Sequence, residues 1–383
     1  MKSNSKTLGD IIIAVDERNS DEKTKEVLGI SINKEFMPSV ANIIGTDLSK
    51  YKLLRKGRFA FNSMHTGRDE RLPIALFKRT DIAIVSPAYF MFEIQNKDEV
   101  DEDYLMIWFQ RPEFDHVCWY MTDASVRGGL SWDDFCRIAI ELPSIEEQRK
   151  IVHDYKIIAD RIKLLKKINE NLEKQVNIIF KSMFLNDKTV FDKTLCLGDL
   201  VKIIDNRGKT PPYTDNYTPY PLLEIASLRT EGRIITYKNC EKFVTKETYE
   251  NWFRAGHPKE NDILISTVGS LAEMKLFKGT KGAIAQNIVG LRCEDNLLPF
   301  YLYQYLLNKQ NDLIAYDRGS VQASIKVSQV INYQIGIPSK KSLFEFSDIA
   351  KKFTQTIFNN TMEMESLINM KKYILSKIVK EVA

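Results

Sequence analysis

Histidine and cysteine are both scarce in this chain of 383 residues, with four and five copies respectively. Cys118, Cys136, Cys196, Cys240 and Cys293 lie far apart and form no C-x-x-C pair. An odd number at such spacing argues against a disulfide framework or a zinc site and predicts reduced, buried thiols. His65, His116, His153 and His257 are scattered, and His116 beside Cys118 lacks the further ligands a metal site needs. No G-x-x-x-x-G-K-[ST] phosphate loop occurs, which argues against an ATPase, and no Ser/His/Asp grouping can be assembled. No run approaches the ~20 apolar residues of a membrane-spanning helix. Residues 1–10 are polar and lack the apolar core of a secretory signal, so the expected location is the cytoplasm, with no membrane partner.

Charge of one sign is also missing. Lys and Arg number 55 against 51 Asp and Glu, a net charge of +4 that does not by itself demand nucleic acid. At 44% hydrophobic and 28% charged, the composition is that of a soluble folded protein. A single core stops growing near roughly 250–300 residues, so two or three domains are expected.

What the sequence does contain, it contains twice. Leu8-Gly9-Asp10 recurs as Leu197-Gly198-Asp199, about 190 positions on. Residues 125–144 align without a gap to residues 320–339, an offset of 195. Between these landmarks, residues 55–64 (RKGRFAFNSM) parallel residues 259–268 (KENDILISTV), and the aromatic segment 104–109 parallels 300–306. A tandem duplication follows. Each copy opens with about 140 residues of short apolar runs broken by Gly, Pro, Asn and Asp, which reads as mixed sheet with a few helices.

Each copy closes with a long segment free of Gly and Pro, residues 145–185 and 340–380, entered through Pro143-Ser144 and Pro338-Ser339. Ser144 and Glu147 are spaced as a capping box. In the first helix Ile151, Tyr155, Ile158, Ile162, Leu165, Asn169, Leu172, Val176, Ile179 and Met183 step alternately by four and three. Adding 195 gives Phe346, Ala350, Phe353, Ile357, Asn360, Met364, Leu367, Lys371, Ile374 and Ile378. A heptad stripe this long and narrow predicts that the two helices pair with each other, antiparallel, with a globular head at each end. At about 1.5 Å per residue the pair would be a rod of roughly 60 Å. The fold class expected is α+β: two mixed sheet-and-helix domains separated by two long antiparallel coiled-coil helices, with internal pseudo-twofold symmetry.

The candidates for chemistry are loops carrying basic, amide and hydroxyl groups beside glycine. In the first copy these are Arg18 with Asn19, residues 62–71 (Asn62, His65, Arg68, Arg71) and residues 125–129 (Arg127). In the second they are residues 206–213 (Arg207, Lys209, Tyr213), residues 266–270 (Ser266), Gln286-Asn287, and residues 318–324 (Arg318, Gln322). Arg and Lys match guanine edges, Asn and Gln match adenine edges, and glycine lets a backbone approach a phosphate. Recurrence at matching places in both copies favours DNA recognition over unrelated solvated turns. The string Thr210-Pro211-Pro212-Tyr213 also invites comparison with the Pro-Pro-Tyr loop of amino-methyltransferases, but no glycine-rich cofactor turn accompanies it. A stand-alone adenine methyltransferase and a coiled-coil scaffold without DNA specificity are the two alternatives.

With these residues in place, the chain resembles the DNA-specificity subunit of a type I restriction-modification system over nearly its whole length. The most specific pieces are residues 207–213 (RGKTPPY), residues 85–89 (VSPAY), the glycine- and serine-rich loops leading into Leu-Pro-Ser and Ile-Pro-Ser, and residues 143–151 (PSIEEQRKI). The resemblance implies target-recognition domains at residues 1–143 and 187–338, with spacer helices at 144–186 and 339–383. It implies a non-catalytic chain that reads both halves of a split DNA sequence and docks two modification subunits, which bring S-adenosylmethionine. A motor-nuclease subunit using ATP and Mg²⁺ would join for restriction. A ~60 Å spacer matches about 18 base pairs at roughly 3.4 Å each, shortened to one or two helical turns by inset heads. One departure stands out. The second helix opens with Lys340-Lys341-Ser342-Leu343 where the first has Ile145-Glu146-Glu147-Gln148, so docking at that end is expected to differ.

Overall fold

The computed structural model describes residues 5–41, 43–64, 66–122, 129–186, 191–238, 240–317 and 323–380. It divides into two compact units, Met1–Ile162 with Ser366–Ala383, and Lys163–Glu365. Each unit therefore contains one head together with stretches of both long helices.

The first unit has strands β1 (Ser5–Thr7), β2 (Ile12–Ala14), β3 (Phe59–Phe61), β4 (Ile74–Leu76), β5 (Phe90–Ile94) and β6 (Ala139–Glu141), and helix α1 (Glu102–Phe109). The long helix α2 (Ile145–Phe184) starts here. The second unit has β7 (Lys193–Cys196), β8 (Val201–Ile204), β9 (Ile263–Ser266), β10 (Met274–Leu276), β11 (Ile288–Cys293) and β12 (Gln334–Ile337), with helices α3 (Leu298–Asn308) and α4 (Lys340–Lys380).

The duplication is visible in the strand order. β2-β5-β3-β4 and β8-β11-β9-β10 are both four-stranded sheets, antiparallel throughout, and β1–β6 repeats as β7–β12. Phe59 lies between Phe92 and Leu76, as Ile263 lies between Leu291 and Leu276. That register equates residues 55–64 with 259–268, the match expected from sequence. On the other edge, Ala14 faces Phe92 as Ile203 faces Leu291, an offset of 189 shared by Leu8 and Leu197.

Outside this shared frame the heads diverge. The first adds a hairpin (Leu28–Ile30 with Phe36–Pro38) and an antiparallel pair, Lys52–Leu54 with Ala83–Val85. The second has a parallel pair, Leu222–Leu223 with Ala283–Ile284. Aromatic rings fill the first core, where Phe59 stacks on Phe92 at 4.9 Å and Phe61 meets Phe135 at 4.5 Å.

Both long helices start where the sequence places them. The Ser144 amide donates to Glu147 Oε2 (3.1 Å) and the Glu147 amide to Ser144 Oγ (3.3 Å), closing the capping box. Ser339 Oγ accepts from the Ser342 amide at 3.2 Å. The stripe lies within a wider packed face, since Val152, Phe180, Phe184, Ser347 and Thr354 beside it are buried too. Tyr155, Ile158, Leu165, Val176, Phe346, Ala350, Ile357 and Ile378 are buried. Ile151, Ile162, Leu172, Ile179, Phe353, Leu367 and Ile374 are half-buried, while Ile157, Leu164 and Ile178 off the stripe are exposed.

Within the first unit, Tyr155 of α2 lies under the Lys371 ammonium of α4 at 4.7 Å. Within the second, Asn360 Nδ2 donates to Asn169 Oδ1 at 2.7 Å and Phe180 meets Phe346 at 5.3 Å. Residue numbers fall along α4 as they rise along α2, so the pair is antiparallel, as expected.

Polar locks join helices to heads. Gln148 is fully buried: its Oε1 accepts from the Asp101 amide (2.9 Å), and its Nε2 donates to the carbonyls of Glu99 (2.9 Å) and Pro143 (3.0 Å). At the equivalent place in the second copy, the half-buried Leu343 packs against the apolar core instead. The departure seen in the sequence thus exchanges a hydrogen-bonded lock for an apolar one.

Candidate nucleic-acid interface

In the second unit the frame delivers three of the expected loops to one place. The turn after β8 begins at Asp205, whose carboxylate accepts from the Arg207 amide (2.9 Å) and, side-on, from Arg207 Nε and Nη2, both at 3.0 Å. Arg207 Nη1 reaches Thr267 Oγ1 at 3.1 Å, on the loop that leaves β9. The Thr267 amide donates to the Asn287 carbonyl (2.8 Å), and Gln286 Nε2 donates to Thr210 Oγ1 (2.6 Å). Arg207, Thr210, Thr267, Gln286 and Asn287 therefore belong to one network. The chain returns beside it, where Gly269 donates to the Ala323 carbonyl (3.0 Å) and Ile325 to the Thr267 carbonyl (2.8 Å).

The turn is braced from beneath. Asn206 is buried, donating to the Gly256 carbonyl (2.9 Å) and accepting from the Ala255 amide (2.8 Å). Arg254 Nη2 donates to the Arg207 carbonyl at 3.0 Å. Gly208 takes φ +114°, a left-handed value that glycine adopts freely, and a side chain there would meet nothing within 4 Å. Burial acts to raise the Asp205 carboxyl pKa, but the hydrogen bonds and charge of Arg207, with the charge of Arg254, bring it below its ordinary value. The carboxylate is thus held ionised against the guanidinium.

The remaining second-copy candidates divide. Lys209 is exposed, and Tyr213 is half-exposed with the Lys242 ammonium 5.0 Å from its ring centroid. Ser266 is different: it is fully buried, accepts from the Glu273 amide at 2.9 Å and donates to the Ser270 carbonyl. It shapes the loop and offers no surface to a ligand. Thr210 is engaged by Gln286, so the Pro-Pro-Tyr string works as a braced loop. Arg318 and Gln322 lie outside the described residues.

In the first unit the offset of 189 carries Asp205-Asn206-Arg207 back to Asp16-Glu17-Arg18. Arg18 keeps part of the arrangement: Nη2 alone donates to Asp16 Oδ2 (2.8 Å), while Nη1 donates to the Lys50 carbonyl (2.8 Å). Arg55 and Arg58 both pair with Glu17 (2.6 and 2.7 Å), whose carboxyl falls to about 2. Hydrogen bonding from Arg55 is the main cause of that fall, and burial opposes it. Asn62 leaves β3 and accepts from the Met64 amide at 3.1 Å. Arg68 is exposed and paired with the adjacent Asp69. Arg71 lines a separate cleft of about 690 Å³ with Lys34, Asp115, His116 and Trp119. His65 and Arg127 lie outside the described residues.

Sequence reasoning missed Asp205 and Arg254, and the equivalent Asp16, whereas Thr267 falls within the expected loop at residues 266–270. The available signal was an Asp-x-Arg string at the same place in both copies. Among the described residues no His/Cys/Asp/Glu group is arranged to hold a metal, and no helix is long and apolar enough to cross a membrane.

Residues 192–369 match the family model described as the Type I restriction modification DNA specificity domain. The chain is 22% identical over 305 residues to the type I restriction enzyme MjaIX specificity subunit of Methanocaldococcus jannaschii, spanning 74% of this chain and 69% of that protein. In fold it matches the crystal structure of the type I restriction-modification system S subunit from M. genitalium, with a TM-score of 0.63 at 13% identity. That match covers 99% of this chain and 96% of the other.

Proposed function

We propose that this chain is a type I restriction-modification DNA-specificity subunit and that it reads a bipartite double-stranded DNA target with a fixed gap. One half-site falls to each copy of the duplicated frame. The long helices set the gap and dock two modification subunits, with restriction subunits joining the same assembly. Chemistry then resides in those partners, which supply S-adenosylmethionine, ATP and Mg²⁺; this chain acts as a non-catalytic reader in the cytoplasm.

The observation that carries the reading is the convergence of the Arg207, Thr267 and Gln286 loops at one end of β8, β9 and β11. The first copy of the frame places Arg18 equivalently. Arginine, amide and hydroxyl groups on a rigid sheet are the set that contacts phosphates and base edges, and divergent loops on a constant frame suit two different half-sites. The continuity of α2, 40 residues without a break, supports a fixed gap.

Selection from a randomised duplex pool by the full chain with its modification subunits tests this. Recovery of two constant half-sites separated by a constant number of unspecified base pairs is expected. Recovery of no sequence, or of one uninterrupted site, would contradict it.

A further inference from the structure

Resting on the DNA-reading role above, we propose that Asp205 and Thr267 fix Arg207 as an end-on reader of a guanine in the half-site taken by the second unit. A guanidinium has five N–H donors. Asp205 takes the Nε donor and one on Nη2, each at 3.0 Å, and Thr267 Oγ1 takes one on Nη1 at 3.1 Å. Two donors remain, one on each terminal nitrogen. When Thr267 holds the outer Nη1 donor, these two point forward in parallel. That pair matches the O6 and N7 acceptors guanine shows in the major groove. Adenine puts an amino group where guanine has O6, so a donor would face a donor.

The carboxylate is the informative feature. An arginine contacting only phosphate loses attraction when a carboxylate offsets its charge, whereas one reading a base edge gains a fixed plane. Three further observations agree. Arg254 donates to the carbonyls of Asp205 (3.4 Å) and Arg207 (3.0 Å), stiffening the turn. Gly208 leaves the adjacent space open. The first unit keeps an Asp-x-Arg pairing, through the single bond from Arg18 Nη2 to Asp16 Oδ2.

The test is equilibrium binding of the full chain, in complex with its modification subunits, to the selected duplex and to duplexes with each base pair changed in turn. Wild type is compared with Arg207→Lys, Asp205→Asn and Thr267→Val. Wild type should prefer guanine over adenine at one position of one half-site by on the order of 5- to 100-fold. Arg207→Lys, which can still donate to guanine but loses the clasped pair of donors, should reduce that preference, as should Asp205→Asn and Thr267→Val. Preferences in the other half-site should persist, which also shows that the variants fold. Uniform weakening on all duplexes with a shallower salt dependence would make Arg207 a phosphate contact and overturn the assignment. So would a preference unchanged in Asp205→Asn. A wild-type complex that selects no sequence would overturn the DNA-reading role and this assignment together.

Discussion

Arg233 is wholly buried and its guanidinium is clasped side-on by Glu173 of α2, with Nη2 to Oε2 at 2.8 Å. Arg233 Nη1 also donates to Thr354 Oγ1 of α4 (3.1 Å), and Nη2 donates to Gln304 Oε1 of α3 (3.3 Å). One side chain thus ties the loop before β9 to three helices of its unit. Removing one partner of such a pair strands a buried charge, so Glu173→Ala should cost about 3–5 kcal/mol in urea denaturation. Replacing both partners, Arg233→Met with Glu173→Leu, should recover most of that loss.

The amide pair Asn169–Asn360 sits in an otherwise apolar stretch of the helix seam. Asn169→Leu alone would leave the Asn360 amide without its partner and should cost about 1–3 kcal/mol. The double change to leucine should regain stability while loosening helix register, since a half-buried polar pair in the seam penalises misaligned pairing. Thermal melts of the two single variants and the double variant check the expectation.

Lys275 gives the second unit a pH dependence. Its ammonium donates to the carbonyls of Thr230 and Gly232, and burial pulls its pKa down to about 8, against the opposing charges of Glu173 and Glu273. The unfolded chain keeps that proton until near the ordinary lysine value of 10.5. Unfolding between pH 8 and 10.5 therefore takes up a proton, and stability should rise with pH across that window and stay flat below it. Urea midpoints at pH 7, 8, 9 and 10 should show the rise in wild type and its absence in Lys275→Met.

Gln148 and Leu343 occupy equivalent places and lock their heads by different means. Gln148→Leu would remove three hydrogen bonds and leave the part-buried Asp101 amide without its partner, at an expected cost of about 1–3 kcal/mol. Leu343→Gln should destabilise the second unit by less, because the half-buried position lets the new amide reach water. Hydrogen exchange of α1 and α3 reports each lock separately.

Much of the fold was legible because its signals are local or periodic. The capping box at Ser144, the unbroken stretches ending near Phe184 and Lys380, and the stripe from Ile151 to Ile378 follow from residue spacing alone. The match of residues 55–64 to 259–268 survived because a strand and its entering turn keep their length. The site was less legible. Ser266 reads as a loop hydroxyl, yet β9 extends through it to pair with Ile288, and its oxygen turns inward. The bond from Arg207 to Thr267 spans 60 residues and exists only once β8 and β9 are brought together across β11. Opposite strand directions in the minor pairs of the two heads depend on divergent loops, where no shared pattern guides the reading.

Genome-wide mapping of adenine methylation in the source strain, with and without this gene, tests the central claim most directly. Loss of one two-part motif, with both halves and the gap constant at every site, is the predicted result. An unchanged pattern of methylation in a strain whose modification subunits are expressed and active would contradict it.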